Sequence, residues 1–158
     1  MTRAKRAQAL IPLRKRSCRS YFKCKHWLAA VWARHAQHHV AKSWVDAEQV
    51  ELAFCRVTQM GRLRLLTNSA VTQRDALSRR QAWEVFEKLI ADPRIRLISE
   101  PQGLETLWAA FSKRDDKSHL LWTDDYMAAF AQAANAEFVT FDRAFSKRYG
   151  SVRTTCLR

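Results

Sequence analysis

Trp122-Thr123-Asp124-Asp125-Tyr126-Met127-Ala128-Ala129-Phe130-Ala131 and, a few residues on, Phe138-Val139-Thr140-Phe141-Asp142 decide how this chain folds. The first stretch places Met127, Ala128, Phe130, Ala131 and Ala134 on or near one helical face. Thr123 is positioned to cap a helix over residues 124–136, and two acids in its first turn complement the helix dipole. The second stretch is a short apolar run, read as a strand over 137–141, with Asp142 directly after it. A helix, a buried strand and an acid at the strand's end form the pattern of an α/β sheet. In such sheets ligands sit beyond the carboxyl ends of the strands.

The same alternation runs upstream. Trp27, Leu28, Val31 and Trp32, then Val40, Ala41 and Trp44, recur at helical spacing and predict a helix interrupted near residues 35–39. Leu52, Phe54 and Val57 mark a strand with Cys55 inside it. Thr58 is placed to cap a helix ending at Asn68, and residues 69–77 read as a loop. Ser78-Arg79-Arg80-Gln81 has the form of a capping box opening a helix that Asp92-Pro93 stops. Ile95 and Leu97 predict a strand, 104–111 a helix, and 152–157 a last strand. Strands alternating with helices predict an α/β domain with a mostly parallel central sheet and helices on both faces.

Composition agrees with one compact domain. The chain has 158 residues, 47% of them apolar and 27% charged, with three Gly and three Pro. So few turn-forming residues argue against an all-β architecture. The net charge of +13 is unevenly placed: residues 1–45 hold eleven Lys or Arg and no acid, and the remainder is nearly balanced. A basic arm of this kind is either a polyanion contact or a solvated tail. No apolar stretch approaches the ~20 residues that span a bilayer, which predicts a cytoplasmic protein with no membrane partner. Cys18, Cys24, Cys55 and Cys156 have no zinc-like spacing and read as reduced thiols. His35, His38 and His39 read as a polar helix end.

Asp124 and Asp142 are the acids best placed for chemistry. Clustered carboxylates suit a hard cation such as Mg²⁺ or Mn²⁺, which lowers the pKa of a bound water and neutralises a phosphodiester oxygen. On spacing alone, Asp124 reads rather as an N-terminal helix charge and Asp142 as a turn residue.

From about Trp27 to Leu157 the chain resembles the PIN-domain ribonucleases of the VapC toxin type. The resemblance rests on several patterns in the right order. The first is Trp27-Leu28-Ala29-Ala30 with His35, His38 and Trp44. The second is Cys55-Arg56-Val57-Thr58-Gln59-Met60-Gly61-Arg62-Leu63-Arg64-Leu65-Leu66-Thr67-Asn68. Leu121-Trp122-Thr123-Asp124 with Tyr126-Met127-Ala128-Ala129-Phe130-Ala131 is the third, and Phe138-Val139-Thr140-Phe141-Asp142-Arg143-Ala144-Phe145 the fourth.

The resemblance implies a PIN-like three-layer fold and a metal-dependent endoribonuclease, the toxin of a type II toxin–antitoxin system. It implies Mg²⁺ or Mn²⁺, an RNA substrate of the tRNA or rRNA class, a cognate antitoxin protein and a homodimer. It makes Asp124 a metal ligand and Asp142 a second catalytic acid, on the metal directly or orienting the water. Thr140 becomes a supporting hydroxyl, and Asp125 a helix neighbour of the site. Gln59 stands where the family's second acid, often Glu, is expected.

The first 26 residues depart from the pattern. The family's opening strand ends in Leu-Leu-Asp-x-Asn, whose Asp is a metal ligand, and counting back from Trp27 puts Lys23 there and Lys25 at the Asn. A lysine at a ligand position repels a cation. This divides the chain into a basic, atypical segment over 1–26 and a PIN-like domain over 27–158 whose first family strand is altered or missing. It also keeps a second function open, a catalytically impaired PIN module that binds RNA or antitoxin without cleaving. Arg62, Arg64, Arg79 and Arg80 read as exposed charges, either tracking a phosphate backbone or simply solvated.

Overall fold

A computed structural model describes the backbone of residues 20–22 and 24–158, and the side chains from His26 onward. In chain order the elements are β1 (Ser20–Phe22), α1 (Cys24–Val31), α2 (His38–Ala47), β2 (Leu52–Phe54), α3 (Arg56–Leu66) and α4 (Ser69–Thr72). There follow α5 (Arg79–Ile90), β3 (Ile95–Leu97), α6 (Leu104–Ser112), α7 (Trp122–Ala133), β4 (Glu137–Thr140), α8 (Arg143–Arg148) and β5 (Thr154–Cys156). The strands pair in parallel in the order β3-β2-β1-β4-β5.

β1 is the centre of that sheet. Tyr21 faces Ala53 of β2 on one side and Phe138 of β4 on the other. The boundary drawn at residue 26 therefore falls after a strand that the sheet uses. Lys23 lies outside the described residues.

Period-two alternation explains how so short a sheet buries two layers of helices. Leu52, Phe54 and Val139 pack with Trp27 of α1 and Phe86 of α5 on one face. Ala53 and Phe138 pack with Met127, Phe130, Phe145 and Tyr149 of the α7–α8 region on the other. Trp27 stacks on Phe54 with ring centroids 4.0 Å apart, and Phe138 on Phe145 at 4.3 Å. The expected α/β architecture with helices on both faces of a parallel sheet is what forms. Among the described residues no helix is long and apolar enough to cross a membrane.

Several element ends differ from expectation, each for a local reason. Cys55 lies at the N-cap of α3, not inside a strand, and Thr58 is the third helical residue, not the cap. The Thr58 hydroxyl accepts the Cys55 N–H at 3.0 Å, so the helix starts three residues earlier than its best capping residue implied. Helix α7 likewise begins at Trp122 with Leu121 at the cap, because the Asp125 N–H already donates to the Leu121 carbonyl at 2.8 Å. It stops at Ala133, short of 136, where Asn135 turns left-handed at φ 50°. Residues 69–77 contain α4 and a short 3-10 turn; the Asn68 side chain accepts the Ala70 N–H at 2.9 Å.

The Ser78 capping box forms as expected. Gln81 N–H donates to Ser78 Oγ at 3.2 Å, and Ser78 N–H donates to Gln81 Oε1 at 2.8 Å. Ser78→Ala is expected to cost about 1 kcal/mol in a urea titration with an unchanged m-value.

Arg62 is a larger correction. It is fully buried against Phe54, its guanidinium carbon 6.0 Å from the ring centroid. None of its three side-chain nitrogens has a hydrogen-bond partner, and burial lowers its pKa to about 10. Helical geometry turns position 62 inward, whereas Arg64, Arg79 and Arg80 are exposed. Arg62 is therefore unable to contact a nucleic-acid backbone.

Candidate functional site

Asp142 lies two residues beyond β4, and its conformation is held from three directions. The buried Thr140 Oγ1 accepts the Asp142 N–H at 3.0 Å. Asp142 Oδ1 accepts the Ala144 N–H at 2.8 Å, so the carboxylate caps α8. His26, at the start of α1, accepts the Phe141 N–H on Nε2 at 2.7 Å and stacks on the Phe141 ring at 4.7 Å. A turn role for Asp142 is thus real, and it leaves Oδ2 outside that cap.

Asp124 and Asp125 sit in the first turn of α7, both buried, at 7% and 6% exposure. Burying two adjacent carboxylates needs compensation. The helix N-terminus supplies part of it, and the end of α8 supplies more. Arg148 Nη1 stands 3.7 Å from Asp124 Oδ2. The Tyr149 hydroxyl donates to Asp125 Oδ1 at 2.5 Å. Burial, and then this bond to Asp125, push the Tyr149 phenol well above its usual range, so it remains a donor.

Helix α8 thereby joins the two halves of the site. Asp142 begins it, and the residues at its far end hold the acids of α7. Gln59 is buried in α3, and its amide oxygen accepts from Arg56 Nη1 at 2.5 Å. Beside it a cleft of about 210 Å³ runs between α3 and the start of α7, lined by Thr58, Met60, Arg64 and Thr123. The three histidines read as a polar helix end have separate partners: His38 Nδ1 is 2.7 Å from the Ala29 carbonyl, His35 Nδ1 accepts the Gln37 N–H, and His39 faces Ser43.

The candidate site residues thus fall into linked pairs. Thr140 and Asp142 form one, and Asp124 and Asp125 a second tied to α8; Gln59 bonds to its own helix instead. His26, Arg148 and Tyr149 were not singled out from sequence. Their only sequence signal was proximity to a motif, and nothing in a linear pattern aims a side chain from the last turn of one helix at the first turn of another.

The oxygen donors here, the carboxylates of Asp124, Asp125 and Asp142 and the Thr140 hydroxyl, are of the kind a hard divalent cation takes. Their number is short of a complete centre: among the described residues no group of three or more His, Cys, Asp or Glu gathers in a metal-holding cluster. Part of the charge on Asp124 is also already met by Arg148.

Relatives show the same architecture. The "Ribonuclease VapC41" of Mycobacterium tuberculosis is 38% identical over 137 residues, covering 83% of this chain and 93% of that protein. Among solved structures, VapBC2 from Rickettsia felis, bound to a DNA fragment from its promoter, superposes with a TM-score of 0.61 at 13% identity, over 89% of this chain and 99% of its own. FitAcB from Neisseria gonorrhoeae gives 0.55 at 14% identity, over 85% and 95%. At those identities the structures speak for the fold. The PIN domain profile matches residues 26–150, from the histidine that braces the end of β4 to the loop after α8. On that match and the 38% identity, the chain belongs to the PIN-domain family.

Proposed function

We propose that this protein is a ribonuclease of the VapC toxin type, hydrolysing RNA phosphodiester bonds at Asp124 and Asp142. The observation that supports this most is the placement of Asp124, Asp125 and Asp142 at the two ends of α8, within a chain 38% identical to a ribonuclease. Asp124 and Asp142 are the residues that would hold Mg²⁺ or Mn²⁺. Such an ion lowers the pKa of a bound water and neutralises phosphate charge. Thr140 fixes the backbone under Asp142, and Tyr149 holds Asp125 as a structural neighbour. Gln59 would border the site from α3 as a neutral group in place of an acid, through the Arg56 that its amide oxygen holds.

The test is direct: purified protein with tRNA or rRNA and Mg²⁺ or Mn²⁺ is expected to cleave, and EDTA is expected to stop cleavage. A specific observation favours the second reading, an impaired module that binds RNA or antitoxin without cutting. It is the guanidinium already set against Asp124. RNA binding without cleavage in the same assay would establish that reading.

The reading also carries partners and a place, the cytoplasm where its RNA resides. An antitoxin protein and a second copy of the chain are proposed to bind it. Between α3 and α5 lies a groove of about 330 Å³ lined by Met60, Leu63, Ala82 and Trp83. Met60 and Trp83 are about half exposed there, at 53% and 46%, an apolar surface that a homodimer would cover. Trp83→Glu is expected to convert a dimer to a monomer in light scattering; an unchanged mass would place the dimer contact elsewhere.

A further inference from the structure

We propose that Arg148 is a phosphate-positioning residue, bridging Asp124 and a non-bridging oxygen of a bound RNA backbone. The proposal rests on the ribonuclease reading of the site and adds a residue to it.

The geometry around Arg148 is incomplete in a way that a phosphate oxygen would complete. Its Nη1 is buried and has no hydrogen-bond acceptor. The nearest anion, Asp124 Oδ2, is 3.7 Å away, close enough for Coulomb attraction and too far for a hydrogen bond. Buried donors are nearly always paired, so this open donor beside Asp124 leaves the guanidinium fork with unused hydrogen-bonding capacity at the site. The side chain as a whole is 26% exposed, so part of it meets solvent beside the buried Nη1. A guanidinium has five donors in a planar fork and readily engages a carboxylate and a phosphate together.

The surroundings hold that fork in place. The Arg148 guanidinium carbon lies 5.8 Å from the centroid of the Tyr149 ring, whose hydroxyl is anchored on Asp125. Arg114 approaches the same ring, also at 5.8 Å, while its Nε donates to the Phe111 carbonyl at 2.8 Å. Two cations on one anchored aromatic ring, beside the acids proposed to cut, form a backbone-binding edge. An anionic strand needs such an edge to approach Asp124 at all, because the bare carboxylates would repel it.

The test is the salt dependence of RNA binding by the full chain, with EDTA present so that no cleavage occurs. The probe is a fluorescein-labelled single-stranded RNA oligonucleotide read by anisotropy at several NaCl concentrations. Arg148→Met is expected to weaken binding about tenfold. It is also expected to flatten the plot of log affinity against log salt by about 0.7, the loss of one phosphate contact on a single strand. Arg148→Lys is expected to keep the slope, and the surface control Lys88→Met to leave the affinity within about twofold. Arg148→Gln carries the same two readouts if the Met variant does not fold, as judged by circular dichroism. A folded neutral variant with unchanged affinity and slope overturns the proposal and leaves Arg148 as a counter-ion for Asp124 alone. Wild-type protein that binds no RNA overturns the ribonuclease reading as well, so the two failures are distinguishable.

Discussion

Asp124→Asn is expected to lower RNA cleavage by about a hundredfold or more while leaving most of the fold in place. Asparagine keeps the shape of the side chain and removes the charge, which is what binds a cation or stabilises developing positive charge. The variant also loses the counter-charge that Arg148 faces. Leaving that guanidinium without its carboxylate costs about 1–3 kcal/mol, so melting must be followed alongside activity. Asp142→Asn is the sharper companion. Asparagine caps a helix about as well as aspartate, so α8 keeps its start and the melting temperature is expected to hold. Activity lost with stability kept assigns Asp142 to chemistry; both retained returns it to a turn role. Asp125→Asn is expected to be the mildest of the three, because the amide oxygen still accepts from Tyr149.

Arg62→Met is expected to stabilise the protein, by about 3 kcal/mol. A cation with an aromatic face beside it but no hydrogen-bond partner in an apolar core is among the costliest groups a fold can bury. Burial depresses its pKa to about 10, and that depression expresses the penalty, at about 1.4 kcal/mol for each unit. Methionine fills the space beside Phe54 without a charge. For a chain of this length each kcal/mol moves the melting temperature by about 2–4 °C, so a rise of about 6–12 °C is expected. The pH signature has a definite sign. Below about pH 10 the guanidinium is charged in both states, so its penalty is constant and stability does not vary with pH on its account. Above about pH 10 the folded protein releases the proton first, the unfolded chain binds more protons, and stability from this group rises with pH. A lower urea midpoint for Arg62→Met at pH 7 would show that the guanidinium contributes more than it costs.

How much was legible in the sequence differs from element to element. Ser78 with Gln81, the stop at Pro93 and the break between α1 and α2 were readable because capping, proline sterics and helical spacing act within a few residues. Thr58 and Thr123 misled for one shared reason. Each is a good capping residue, yet backbone hydrogen bonding from Cys55 and Leu121 starts the helix earlier. Arg62 misled because an arginine is read as a surface charge wherever it falls, and only the packing of α3 over Phe54 turns it inward.

The sequence by itself determined the alternation of helix and strand, and hence a parallel sheet with an acid after β4 and two more at the start of α7. Those features follow from local periodicity and from charge beside helix ends, which a linear pattern carries. Only the tertiary structure decided that Ser20–Phe22 forms the central strand, that Arg62 is sealed in the core, and that Arg148 and Tyr149 reach back to Asp124 and Asp125. The physical reason is distance along the chain. The Arg148 and Tyr149 contacts, like the pairing of β1 with β2, join residues more than twenty positions apart, and Arg62 is sealed only when α3 packs over Phe54, so none of this geometry exists until the elements have docked.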